Sequence, residues 1–243
     1  MRFVLFVNDR RQRTKLLVLL IMIFLLLASA AAFVKNKNNE QDTAEAFFPI
    51  KAILTDEKIY SVTATLTGDE KDEDIKMLLS VCEGLGANVT FFAESGWIED
   101  NEELAKKIEK AGTLGLLINK NLSGKSRNYI MSYVADRNDE FFSQSGKYPK
   151  YVRVSGPSDG TVTQVLNAYG QYCISFEAVL TKGSTGTIKQ GSIIDIGIID
   201  GDTAYLLAGA VSEAIAASLT CIELDSFLYE IGSETDEYGK QHT

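Results

Sequence analysis

Histidine is nearly missing from this chain: His242, next to last, is the only one in 243 residues. An imidazole, with a pKa of about 6.5, is the ordinary proton carrier of hydrolytic sites near neutrality. The body of the chain has none. Cysteine is scarce as well. Cys82, Cys173 and Cys221 are widely spaced and form no CxxC pair. Each lies in an apolar stretch and reads as a buried free thiol. An exported domain could still form one disulfide, and spacing selects no pair. There is no P-loop, no HExxH, no GxSxG and no nucleotide-type glycine fingerprint. Basic charge is short too: residues 35–243 carry 19 Lys and Arg against 32 Asp and Glu. A domain this acidic repels nucleic-acid phosphates and anionic lipid, so nucleic-acid binding is set aside.

Charge vanishes altogether from Leu16 to Val34, a run of 19 residues. That is about the length needed to span the hydrocarbon of a bilayer. Arg2, Arg10, Arg11, Arg13 and Lys15 precede it, against Asp9 alone. The asymmetry predicts a cytoplasmic tail over 1–15, a single membrane span over 16–34 and a domain outside the membrane. Ala28-Ser29-Ala30 and Ala30-Ala31-Ala32 are small-x-small patterns that would suit signal cleavage. The apolar run is long for a signal, so an uncleaved anchor is favoured. Residues 35–46 are polar and aperiodic and read as a linker. The folded domain is placed at 47–231, followed by a polar tail at 232–243.

Within the domain the pattern is richest from Ala87 to Gly112. Val89, Thr90, Phe91 and Phe92 suit a strand. Ser95-Gly96 reads as a turn. Asp100 and Glu103 are spaced as a capping box for a helix with Leu104, Ile108 and Ala111 on its inner face. Glu102–Lys106 and Glu103–Lys107 are i,i+4 pairs on the outer face. Gly112 is placed to end the helix in the left-handed region. The alternation continues on both sides. Strands are expected at Lys58–Leu66, Leu114–Ile118, Tyr151–Val154, Cys173–Ala178, Gly191–Ile199 and Thr220–Leu224. Helices are expected at Asp72–Leu85, Ser126–Phe142, Val162–Tyr169, Ala204–Ser218 and Asp225–Glu230. About seven strands alternating with helices argue for a parallel α/β architecture.

Two stretches carry a resemblance. The residues TFF…SGxW…NEELAKKI…AG within Ala87–Gly112, and SGKYPKYVRVSGP from Ser145 to Pro157, resemble polysaccharide deacetylases with the NodB homology domain, over roughly Lys58 to Leu228. The resemblance implies a distorted, incomplete (β/α)7 barrel with its site at the C-terminal ends of the strands. It also implies hydrolysis of a sugar N-acetyl group by an Asp–His–His metal set, a base Asp and an acid His.

At those positions the sequence departs from the family. Thr67 falls where the base Asp belongs and Gly68 where the metal Asp belongs. Asp69 lies one residue on; a slip of register would bring it near the site. Otherwise Gly68-Asp69-Glu70 is a turn into the acidic start of the next helix. Leu117 and Asn121 replace the two His ligands, and Gly197 the acid His. Arg153 survives without its Asp and is expected to pair with Asp69, Glu177 or Asp159. Trp97 matches a residue of sporulation-type members and reads as packing rather than sugar stacking. Asp69, Glu70, Asp195, Asp200 and Asp202 are candidates for an oxygen cluster suited to Ca²⁺ or Mg²⁺, although Asp200-Gly201-Asp202 reads more simply as a turn. Active relatives are expected to hold a divalent metal; its ligands are missing here, so no cofactor is expected. The favoured reading is a membrane-anchored, catalytically inactive domain with a vestigial groove (Thr67, Gly68, Asp69, Leu117, Asn121, Arg153, Gly197) that binds cell-wall glycan or an envelope protein. Two alternatives stand beside it: an active deacetylase with a relocated carboxylate metal site, and a structural scaffold of an envelope complex.

Overall fold

The computed structural model describes residues 47–157, 160–181 and 188–242. The tail, span and linker read in residues 1–46 lie outside these, as does Asp159. Among the described residues no helix is long and apolar enough to cross a membrane.

The strands are β1 (Ala52–Ile53), β2 (Ile59–Thr65), β3 (Val89–Ala93), β4 (Thr113–Ile118), β5 (Tyr151–Val154), β6 (Tyr172–Cys173), β7 (Ala178–Val179), β8 (Ile193–Asp195), β9 (Thr220–Cys221) and β10 (Lys240–Gln241). The helices are α1 (Asp72–Leu85), α2 (Ser95–Asp100), α3 (Glu102–Ala111), α4 (Arg127–Ser145), α5 (Gly160–Ala168), α6 (Thr203–Ala216) and α7 (Leu224–Phe227). The main sheet runs β6-β5-β4-β3-β2-β8-β7, with β9 added on β2. Every pairing in it is parallel. The result is a parallel half-barrel: the alternation of elements implied the parallel α/β architecture, and the resemblance the incomplete barrel.

Parallel sheets bury both faces, and the two apolar clusters follow the two sides. Tyr60, Val62, Ala64, Phe91, Leu116 and Val152 share one cluster with Ile75, Leu78, Leu104, Ile108, Ile130 and Val134 of the helices. The alternate residues Phe92, Leu117, Tyr151 and Ile193 face inward and pack with Leu224 and Phe227 of α7. By the same period of two, Thr63, Thr65, Arg153 and Asp195 point into the concave side.

The expected strand Cys173–Ala178 is instead two short strands on opposite sheet edges. β6 pairs with β5, and β7 pairs with β8. The chain from 174 to 177 crosses between the edges, so the barrel is not closed by strand pairing there. Residues 50–53 fill the gap. Ile50 donates to Cys173 O (2.8 Å) and accepts from Ser175 N (2.8 Å), while Ile53 donates to Gly191 O (2.7 Å) and Lys51 O accepts from Ile193 N (2.9 Å). Of the polar stretch 232–243, the described residues 232–242 are not a free tail. β10 pairs with β1, Thr235 and Gln241 are buried, and the Gln241 side chain accepts from Tyr229 N at 3.0 Å.

Local readings in the central unit are corrected as well. Ser95-Gly96 opens α2 instead of forming a turn. The Asp100–Glu103 capping box does not form: Asp100 ends α2, and Asn101 caps α3 without a side-chain cap bond. The Asn101 amide is committed elsewhere, donating to Trp97 O at 2.9 Å. Gly112 is extended, not left-handed (φ −166°). Glycine is required there because a Cβ would sit 2.4 Å from Val89 O. Of Gly191–Ile199, only Ile193–Asp195 remains in the sheet. The final helix is shortened to Leu224–Phe227.

Candidate functional site

The inward residues at the strand ends converge on a 540 Å³ cavity. Thr65, Leu117, Arg153 and Phe176 line it from the barrel side; Phe48, Lys51 and Glu237 close it from the two terminal segments. Arg153 on its wall is ion-paired with Asp195, which does not itself line the cavity; their side chains are only 7% and 5% exposed. Arg153 Nη1 donates to Asp195 Oδ2 and to Thr65 Oγ1 (2.7 Å), and Nη2 donates to Thr63 Oγ1 (2.8 Å). Thr63 Oγ1 donates in turn to Asp195 Oδ2 (3.0 Å), and Asp195 Oδ1 accepts from Gly197 N (2.8 Å). The guanidinium lies between the rings of Phe92 and Phe176, 4.3 and 5.1 Å from their centroids. Burial pushes the Arg153 pKa below its ordinary value, and the Asp195 carboxylate pulls it back. Each side chain is thus the buried counter-ion of the other.

Arg153 thus pairs with none of the three expected acids. Asp69 is exposed on its loop, Glu177 is exposed on the crossing segment, and Asp159 lies outside the described residues. The true partner was open to discovery. Asp195 is the only charged residue in the apolar run Ser192–Ile199. An acid there must meet a buried cation, and Arg153 is the only cation in the strand YVRV.

The remaining site positions are held by different local contacts. Thr67 N and Oγ1 both donate to Glu70 Oε1 at 2.8 Å, and Gly68 N donates to Glu70 Oε2 at 2.9 Å. Glu70 is therefore a clamp for its own loop. Leu117 is buried among Phe92, Tyr151 and Ile193. Asn121 is exposed; its Oδ1 accepts from Ser123 N at 2.9 Å. Gly197 has φ +79°, and a Cβ on it would stand 2.9 Å from Val179 Cγ1. Trp97 is buried in the helix-side cluster, with Cδ1 3.9 Å from where a Cβ of Gly68 would lie. Its contacts are those of a packing residue.

The five carboxylates proposed as an oxygen cluster do not come together. Asp195 is held by Arg153 and Glu70 by its loop. Asp200 Oδ1 accepts from Thr203 Oγ1 (2.9 Å) and Asp202 N (3.0 Å), making the turn into α6. Among the described residues no three His, Cys, Asp or Glu side chains are grouped to hold a metal ion. His242 sits on Asp236 at 3.3 Å, away from the cavity lining. Sequence reasoning missed Phe48, Lys51, Phe176 and Glu237. Three of these enter through the terminal segments, which carried no period to place them.

No family model matches the sequence, and no curated protein matches it. Solved structures do share its fold. A family 4 carbohydrate esterase from Bacillus anthracis aligns with a TM-score of 0.61 at 18% identity, over 74% of this chain and 86% of that one. A family 4 pseudoenzyme from the same organism gives 0.65 at 16% identity, over 81% and 73%. A mutant of that pseudoenzyme with restored enzymatic activity gives 0.66 at 16%, over 80% and 72%. At this identity the likeness is one of architecture: the half-barrel is that of the family 4 polysaccharide deacetylases.

Proposed function

We propose that this domain is a non-catalytic relative of the polysaccharide deacetylases that binds a neutral acetylated glycan at the barrel mouth, held outside the membrane by the span at 16–34. The observation that carries the reading is the mouth itself. The cavity is present, while the one arginine on its wall is neutralised by Asp195. Thr67, Gly68, Leu117, Asn121 and Gly197 stand where ligands and proton carriers are needed. Leu and Gly offer no donor atom, and Thr and Asn only neutral oxygens. A concave site lined by aromatic side chains and a few polar groups suits a small organic ligand. Phe176 supplies an aromatic surface on its wall.

The test is calorimetric titration of the full chain, in neutral detergent, with an acetylated chitooligosaccharide. Saturable binding is expected, weakened at least about fivefold by Phe176→Ala. Absence of binding, or binding untouched by Phe176→Ala, would contradict the reading. Capture of an envelope protein without glycan affinity would select the scaffold role.

A further inference from the structure

A second cavity, of 610 Å³, opens between α1 and α3, lined also by the turn that leads into β3. That turn precedes the strand, so the cavity lies at the end of the sheet opposite the mouth. Its rim is basic in an acidic domain: Lys76, Lys107 and Lys110 line it, against the single acid Glu83. Lys76 is tied to Asp72 at 3.3 Å. Lys107 and Lys110 have no ion-pair partner among the described residues. The case of Lys107 is informative. Its helical spacing offered Glu103 as a partner, yet Glu103 contacts Lys106 (3.7 Å), which also holds Glu102. Lys107 is left to the cavity. Between two lysine side chains without counter-charges the local potential is positive, although the domain as a whole repels anions.

The rest of the lining refines the ligand. Leu79 and Cys82 are buried beneath the rim and give it an apolar floor. Ser80 and Asn88 also line the cavity and offer neutral hydrogen-bonding groups. Glu83 is out of place in a site for a bare anion. It is in place if the ligand also carries hydroxyl donors. The volume also exceeds the needs of an inorganic ion and falls in the range of small-molecule sites. We infer that this cavity binds a phosphorylated sugar or polyol, with Lys107 and Lys110 on the phosphate and Glu83 on hydroxyl groups. The inference is independent of the mouth and of the role proposed for it.

The experiment is titration of the full chain in neutral detergent with glucose 6-phosphate, inorganic phosphate and glucose, at low and high salt. Glucose 6-phosphate is expected to bind best and to weaken with salt. Lys107→Ala and Lys110→Ala should each weaken it by about two- to fivefold. Lys106→Ala, whose ammonium is already held by Glu102, should leave it unchanged. All three positions are exposed on α3, so folding is not at issue. No binding of glucose 6-phosphate, or binding unaffected by the Lys107 and Lys110 variants, would overturn the site. Equal affinity for glucose would remove the role of the lysines, and equal affinity for inorganic phosphate would remove the sugar body.

Discussion

Asp195 and Arg153 each face the interior from a strand that is otherwise apolar. Neither charge is tolerable alone in that setting; Thr63, Thr65 and the Gly197 amide hydrogen-bond the pair, while the buried Arg153 Nε has no partner. Asp195→Asn is expected to cost about 3–5 kcal/mol, since it leaves a buried guanidinium without its counter-charge. The double change Arg153→Met with Asp195→Leu should cost less than either single change. Urea unfolding of the three variants measures this, and additive losses would contradict it. Gly197 leaves no room for a larger side chain. A histidine there meets positive φ and the Val179 methyl, so Gly197→His should lower stability by about 1–3 kcal/mol without conferring zinc affinity. An unchanged denaturation midpoint would count against this. The thiols give a pH signature. Burial, with Cys221 nearby, pushes the Cys82 pKa up to about 12, and burial pushes Cys221 up to about 11. These groups are raised in the fold, so their contribution is intact below pH 9 and is lost as pH climbs from there toward 12. Stability measured across that window should fall, and Cys82→Ser with Cys221→Ser should flatten the fall.

Elements were legible where periodicity was strong. The buried stripe Ile75, Leu78, Leu79 and Cys82 of α1 matches the helical spacing, and its acidic first turn suits the helix dipole. Legibility failed where a backbone group, not a side chain, made the decision. The Asn101 main-chain amide donates to Trp97 O, so Asp100 closes α2 and cannot cap α3. Gly112 answered a close approach from β3, which sequence spacing cannot show. The terminal segments failed for a related reason. Residues 50–53 and 235–242 are joined to the domain largely by main-chain hydrogen bonds, so their composition said little. Gly239 is the point of closest fit: φ is +80°, and a Cβ would stand 2.8 Å from Pro49 O. Gly239→Val should cost about 1–3 kcal/mol and speed proteolytic release of the C-terminal segment. A variant as resistant as the wild type would show that the β1–β10 strip is not needed to close the gap.

For the molecule as a whole, scaffold and chemistry part company. The parallel half-barrel was readable from alternating elements and from two family-like stretches. Solved family 4 structures share it at 14–18% identity. Of the candidate site, the positions Leu117 and Arg153 were legible as lining the barrel mouth, and the single histidine was legible as lying far along the chain. The Arg153–Asp195 pair was not readable, because it joins strands β5 and β8, which are far apart in sequence. The most direct test is acetate release from acetylated chitooligosaccharide by the full chain, with added zinc and at high protein concentration. The account predicts a rate equal to that of buffer. Zinc-stimulated release at about 1 s⁻¹ or faster, within the ordinary enzymatic range, would contradict it.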